Sequence, residues 1–484
     1  MDTLRCLAID MGASSIRVLL GEISDNHIKY KEIYRFKNEI KLVNGSDKWD
    51  IEGIYTSLLE GINKALIDYP DIASLGVDSW GVDYVLIDRQ GKLVEMPYAY
   101  RDSRTEGMMD KWKKRMSDEE TFQRTGINFY VFNTLFQLIS SQNSREIKKA
   151  HSLLFIPAYI YYRLSGKKIN EVTISSTSQL LELNSNNFDK EILKKLDINP
   201  SFFGKTINPG NIVGKVNEAE LVENKIQAVS VCSHDTASAV AAIPTNINDF
   251  IFISTGTWCI IGIESKNPIL TKEALELGFT NERGYGNTYR ILKNIVGLWL
   301  VQGIQKAMPE SKDFSEMEKM AMESEPSDHI VNPEDEMFYN PDNMLEAFDH
   351  YFEKTGQSKP ESIGQYIRCA YNSLSLVFNY YVNKLEALTN NSYETVHLIG
   401  GGSQSVHLCQ STANYTLKQV YSGPVECATI GNIMVQAIAM KKIKNIEEGR
   451  SIIKKSFPQK AFKPLLKENE SKEMYQKFLK LKKL

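Results

Sequence analysis

Two stretches of this chain share one grammar: an apolar run, a tight Gly/Ser/Thr turn, then a second apolar run. They are Ala8-Ile9-Asp10-Met11-Gly12-Ala13-Ser14-Ser15-Ile16-Arg17 and Phe252-Ile253-Ser254-Thr255-Gly256-Thr257-Trp258. Gly12 permits a tight turn, and the N–H groups after it, with the hydroxyls of Ser14 and Ser15, can surround phosphate oxygens. Asp10 closes its strand and can hold Mg²⁺, directly or through water. Either stretch alone is equally an ordinary hairpin. One in each half of the chain points to two related lobes holding one phosphorylated ligand. There is no G-x-x-x-x-G-K-S/T loop and no strand–G-x-G-x-x-G–helix unit, so neither a P-loop nor a dinucleotide site is supported.

Other chemistry-bearing residues lie between and beyond these loops. Ser233-His234-Asp235-Thr236 follows a short apolar run and opens a helical one. Adjacent residues cannot form a Ser/His/Asp relay, so a hydrolase triad is excluded. Asp235 suits a helix N-cap or a general base at the mouth of a cleft. Asp78-Ser79-Trp80-Gly81-Val82-Asp83 sets an aromatic ring, a bare backbone and two carboxylates at one strand end, a mix that recognises polyols. The same residues also suit a buried Trp with two surface carboxylates at a turn. Tyr100-Arg101-Asp102-Ser103-Arg104-Thr105 is rich in donors, or is a capped helix start. Gly400-Gly401-Gly402-Ser403 lets a flat nucleotide approach the backbone beside a helix N-terminus, or makes a strand–helix turn. Asn294 and Gln302 are read on one helix over 290–302, a little over two turns apart and facing similar sides. They suit equally an N-cap and a surface Gln.

The elements that must carry these residues are mixed α/β. Strands are expected over 6–10, 16–21, 74–78, 84–87, 228–232 and 396–399. Helices are expected through much of 105–164 and over 363–388 and 425–440. Pro244-Thr245-Asn246-Ile247-Asn248-Asp249 is the expected domain boundary, dividing the chain into residues 1–244 and 245–484. The acidic, Met-rich stretch 308–349 reads as a surface insertion between helices. A chain of 484 residues is long enough for two large domains. Its net charge of −3 offers no basic excess for nucleic acid. No apolar run reaches membrane-spanning length, and the first residues lack a signal peptide's order, so a cytoplasmic protein is expected. The six cysteines include no CxxC pair, which disfavours structural zinc, and a disulfide framework would be unusual in the cytoplasm.

Taken together, the motifs resemble the FGGY carbohydrate kinases, within the actin/hexokinase-like ATPase fold, along nearly the whole chain. The resemblance is carried by the 10–15 loop, the 76–83 and 100–105 stretches, Ser233 to Val240, Ser254 to Trp258, Leu292 to Leu300, and Ile399 to Gly402. The 80–83 and 100–105 stretches are specific to the branch that phosphorylates the ketose L-rhamnulose. The resemblance implies an α/β fold of two actin-like ATPase (ribonuclease H-like) domains with a cleft between them. It implies Asp235 as catalytic base. It implies contacts to the ketose from Gly81, His234, Asp235, Thr236 and Asn294. It implies an ATP site lined by Ala13, Ser14, Ser15, Ile16, Arg17, Thr257, Gln302 and Gly401, with Mg²⁺ near Asp10. The first domain would then hold the sugar, the first phosphate loop and the base, and the second domain the other phosphate loop and the adenosine. Ile16 stands where the family usually has Gly and is expected to narrow one end of the phosphate loop. No disulfide is implied, since the cysteine positions of the family are not all matched. The expected activity is ATP-dependent phosphorylation of L-rhamnulose at O1, with no nucleic acid or membrane partner. Its rivals are a kinase for another ketose, such as L-fuculose or a pentulose, and an actin-like nucleotide switch.

Overall fold

The computed structural model describes residues 3–246, 249–308, 310 and 312–483. It divides into two compact units, the first made of residues 1–246, 265–291 and 427–456 and the second of the rest. These units do not follow the two sequence halves, because 265–291 and 427–456 pack with the first. Of the boundary stretch 244–249, Ile247 and Asn248 lie outside the described residues.

The first unit is built on a six-stranded sheet. Its order is Asn211–Lys215, Gln227–Ser230, Ser74–Ser79, Leu4–Met11, Ser15–Ser24, His27–Lys37. Leu4–Met11 and Ser15–Ser24 form an antiparallel hairpin with Asp10 opposite Arg17. Ser74–Ser79 lies parallel on the other edge of Leu4–Met11, which sets Asp78 beside Asp10. A parallel neighbour needs a crossover, and the helix Ile51–Asp68 lies in it. Asp50 caps that helix by accepting from Gly53 N, and Ile51, Ile54, Tyr55, Leu58, Ile62 and Ala65 form its buried stripe. A second helix, Cys427–Ala439, also packs on this sheet. Gly61 of the first helix abuts Val18, whereas Ile433 of the second abuts Gly21. Positions three apart on a strand face opposite ways, so the two helices cover opposite faces.

The second unit repeats the same start. Ile251–Thr255 and Trp258–Ser265 form an antiparallel hairpin, and Thr395–Gly400 lies parallel on the other edge of Ile251–Thr255. The sheet continues through Gln419–Ser422 to Lys460–Phe462. The helix Ile363–Thr389 is buried along most of its length, as its apolar spacing requires.

Two expectations about elements are corrected. The stretch 308–349 is not a surface insertion: it contains the helix Phe314–Glu323 and the start of Met344–Thr355, and it buries Met317, Ile330, Val331, Phe338 and Phe348. A Cβ on Gly364 would lie 2.3 Å from Met320 O, so that first helix and Ile363–Thr389 meet at the backbone. Residues 309 and 311 of the stretch lie outside the described residues. The second correction is that 290–302 is not one helix. Asn294 sits in the strand Tyr289–Val296 and Gln302 in the helix Trp299–Ala307. The break falls at Gly297, where a Cβ would lie 2.7 Å from Gly256 O. Among the described residues no helix is long and apolar enough to cross a membrane. All six cysteines are buried.

Candidate active site

In the first unit the turn Met11–Ser15 is closed by Gly12 N donating to Ser15 O at 3.0 Å. A Cβ on Gly12 would sit 2.9 Å from that same oxygen, so only glycine fits. Asn38 pins the loop from outside, its Nδ2 donating to Gly12 O (3.0 Å) and its N to Ser14 O (3.1 Å). Ser14 is exposed, and Ala13, Ser15 and Arg17 are partly so. Ile16 departs from expectation: its side chain is fully buried in the core, so it does not narrow the loop. A strand's alternation turns it inward while Ser15 and Arg17 turn out.

Behind this loop lies a buried acidic pair. Asp10 is ion-paired with Arg17 and accepts from Thr429 Oγ1 at 3.2 Å. Asp78, alongside it, accepts from Asn432 Nδ2 at 2.6 Å, while its Oδ1 has no hydrogen-bond partner. Burial, and then the charge of Asp10, hold the Asp78 carboxyl well above the usual carboxylate range. Thr429, Asn432 and Gln436 form a polar stripe down the helix Cys427–Ala439, and Gln436 Nε2 continues it to Leu7 O at 2.9 Å.

Asp235 opens the helix Asp235–Ala241, with His234 as its N-cap residue, so Asp235 is not the cap. Its side chain is 36% exposed, unlike Asp10, Asp78 and Asp83, which are buried. Thr236 donates to Asp235 Oδ1 through both its N and its Oγ1. His234 Nε2 lies 3.5 Å from the same oxygen. The segment is held from behind by Glu171, which accepts from Ser233 N (3.1 Å), Thr173 N (2.8 Å) and Ile174 N (3.1 Å) and also from Thr173 Oγ1. Burial pushes the Glu171 carboxyl up to about 7, against those bonds. Ser79 N donates to Ser233 O at 2.9 Å, tying the segment to the strand Ser74–Ser79.

The 78–83 turn is more structural than expected. Asp83 is buried and accepts from Trp49 Nε1 (2.7 Å), Trp80 Nε1 (2.9 Å), Tyr100 N (3.1 Å) and Gln137 Nε2 (3.0 Å). It organises two indoles whose rings lie 4.6 Å apart, and both of its oxygens are occupied by protein donors. Neither carboxylate of this turn is at the surface. Gly81 is partly exposed, with Thr177 Oγ1 3.0 Å from where its Cβ would be. Val82 takes a left-handed φ of 67°, a strained backbone for a β-branched residue. Val82 N donates to Thr177 Oγ1 at 3.0 Å and Val82 O accepts from Thr134 Oγ1 at 2.6 Å. In the 100–105 stretch Asp102 accepts from Arg104 N, so the capped-start reading holds there.

In the second unit the turn Gly256–Thr257 closes with Gly256 N donating to Trp258 O at 3.1 Å. Leu298 N and Trp299 N donate to Gly256 O and Thr257 O, fixing the head of the helix Trp299–Ala307 on the loop. Thr257 and Trp258 are exposed, the latter by 55%. The three glycines have separate jobs. Gly400 has a φ of 81° and would place a Cβ 2.6 Å from Thr255 O, and a Cβ on Gly402 would lie 2.8 Å from Thr255 Cβ. A Cβ on Gly401 meets nothing within 4 Å, so it faces open space. Gln302 and Asn294, on separate elements, are both partly exposed.

The sequence reading missed Asn38, Glu171, Glu282 and the Thr429–Asn432–Gln436 stripe. Polar residues at helical spacing inside the apolar run 427–439 were a usable signal for the stripe. The others act over long sequence separations that no local pattern marks.

Residues 5–242 match the N-terminal domain, and residues 251–440 the C-terminal domain, of the FGGY family of carbohydrate kinases. The chain is 38% identical over 461 residues to a rhamnulokinase of Bacillus subtilis (strain 168), covering 94% of this chain and 95% of that one. It is 37% identical over 463 residues to a rhamnulokinase of Bacteroides thetaiotaomicron, with 94% and 95% covered. Among solved structures, glycerol kinase of Plasmodium falciparum with ADP superposes with a TM-score of 0.82 at 17% identity, over 99% of this chain and 98% of that one. Xylulose kinase of Rhodospirillum rubrum superposes with a TM-score of 0.80 at 15% identity, over 99% and 98%. At those identities the structures speak for the fold alone, which is the two-domain, actin-like ATPase fold.

Proposed function

The chain belongs to the FGGY family of carbohydrate kinases, and from that premise we propose that it transfers the γ-phosphoryl group of ATP to O1 of L-rhamnulose. The products are L-rhamnulose 1-phosphate and ADP, a step of L-rhamnose catabolism. What carries the substrate assignment is the identity to rhamnulokinases over nearly the full length of both chains. Asp235 is the general base in this reading, since it is the half-exposed carboxylate in a neighbourhood of buried ones. Both Thr236 bonds fall on Oδ1, which leaves Oδ2 to accept the O1 proton as that oxygen bonds phosphorus. An ordinary carboxylate suffices, because the alcohol becomes acidic only as the new bond forms.

In this reading the Gly12–Ser15 turn and the Gly256–Thr257 turn each offer N–H groups and hydroxyls to phosphate oxygens. Ala13, Ser14, Ser15, Arg17, Thr257, Gln302 and Gly401 line the ATP side in this reading, with Ile16 contributing its backbone alone. Gly81, His234, Thr236 and Asn294 hold the ketose. Mg²⁺ bound with ATP would supply charge neutralisation at the phosphates. Asp10 and Asp78 would hold it. Their carboxylates are the hard oxygen donors it prefers, and the unpartnered Asp78 Oδ1 favours the fit. No cluster of three metal-binding side chains exists among the described residues, as suits an ion held largely by nucleotide and water.

A panel of ketoses ranked by kcat/KM tests the substrate, with phosphorus NMR locating the new ester. L-rhamnulose is expected to lead and to carry phosphate on O1. A lead for L-fuculose or a pentulose would overturn the sugar but keep the kinase. Slow ATP turnover indifferent to every sugar would favour a nucleotide switch.

A further inference from the structure

His234 is backed by two charged side chains that the mechanism above does not use. Arg290 is wholly buried in the strand Tyr289–Val296, and Glu282, in the strand Thr280–Arg283, is nearly so. Arg290 Nη2 donates to Glu282 Oε2 at 2.7 Å and lies 3.1 Å from His234 Nδ1. Glu282 Oε2 is itself 3.1 Å from that Nδ1. The three groups form a closed triangle on one edge of the imidazole. The opposite edge, Nε2, faces Asp235 Oδ1 at 3.5 Å.

We propose that Glu282 and Arg290 are positioning residues for His234 and, through it, for the base Asp235 and the ketose. The inference rests on the kinase reading above. A guanidinium only donates and an ionised carboxylate only accepts, so the Nδ1 edge finds a partner in either protonation state of the ring. The ring plane is thereby fixed and Nε2 is kept on the Asp235 side. Packing alone does not explain Arg290. Its Nε donates to Arg283 O at 3.1 Å, yet its Nη1 is buried with no partner. A fully buried ion pair is a costly way to fill a strand, and an apolar side chain of similar volume would do it better.

The test is a cycle of variants. His234→Asn, the pair Glu282→Gln with Arg290→Met, and all three changes together are compared with the wild type at saturating Mg-ATP. The paired change removes both charges at once, so no lone ion is left in the interior. Rates are scaled to the folded fraction from near-UV circular dichroism. Arg290→Lys, which keeps the charge but not the fork, serves as the milder variant. The pair is expected to lower kcat/KM for L-rhamnulose by about 10-fold or more while the Kd of ATP without sugar moves less than about twofold. Arg290→Lys should fall between the pair and the wild type. In the His234→Asn background the pair should cost less than about threefold, because its effect passes through the ring. Independent losses that multiply in the triple variant, or an unchanged kcat/KM in the pair, would overturn the inference while leaving the kinase standing. A wild type without L-rhamnulose-dependent ADP release would overturn the kinase reading and this inference with it.

Discussion

Asp235 differs from the other acids of its unit in exposure and in what holds it. Asp83 spends both oxygens on two indoles, an amide and a backbone N–H, and Asp10 is paired with Arg17. Asp235→Asn keeps the shape and the Thr236 bonds but cannot take a proton. It is expected to lower sugar-dependent turnover by about 10²–10⁴-fold, with the ATP Kd unchanged by calorimetry. Near-normal turnover would reduce Asp235 to a helix-start residue. Gly81→Trp is expected to raise the KM for L-rhamnulose by more than about 10-fold and to spare ATP, because Thr177 blocks one side and the ring must turn to the open one. Loss of ATP binding alone would contradict the placement of the sugar. At this scale the motif residues were legible in the chain. Glu171 and Glu282 were not, because they reach Ser233 and His234 from strands distant in sequence.

The helices that carry these residues meet at close quarters. A Cβ on Gly431 would fall 1.9 Å from Ser238 O, so the helices Cys427–Ala439 and Asp235–Ala241 touch backbone to backbone. Gly431→Ala must push the helix Asp235–Ala241 aside. It is expected to destabilise the protein by about 1–3 kcal/mol in urea melts and to depress kcat beyond the loss of folded protein. Glu282 gives a pH dependence of known sign. Burial raises its carboxyl, but Arg290 and then His234 pull harder and hold it at about 2. A carboxylate lowered on folding contributes stability above its unfolded value that is lost as pH falls through the folded one. About 3 kcal/mol should therefore disappear between roughly pH 4.5 and 2. The Glu282→Gln, Arg290→Met pair should lack that share of the acid loss in denaturant titrations. The two hairpins were legible because their alternation and turn residues agree. The 290–302 stretch was misread because a strand and a helix of apolar residues join there without Pro or a capping residue. Only the crowding at Gly297 marks the change, and crowding is a tertiary fact.

For the whole molecule, the repeated loops are the outward sign of a repeated fold. In each unit a hairpin is followed by a strand that lies parallel on its first member. That duplication was readable in the chain. The return of 427–456 to the first unit was not, since the polar stripe of Cys427–Ala439 marks a buried polar face but not which sheet that face meets. The burial of 308–349 was hidden as well, because its acidic surface residues mask a few spaced apolar ones such as Met317 and Phe348. The proposed reaction is transfer of a phosphoryl group from ATP to a ketose. Coupled ADP release, with and without L-rhamnulose, in the wild type and in Asp235→Asn, tests it most directly. ADP release is expected to depend on the sugar in the wild type and to vanish in the variant. Slow release, equal with and without sugar and untouched by Asp235→Asn, would contradict it.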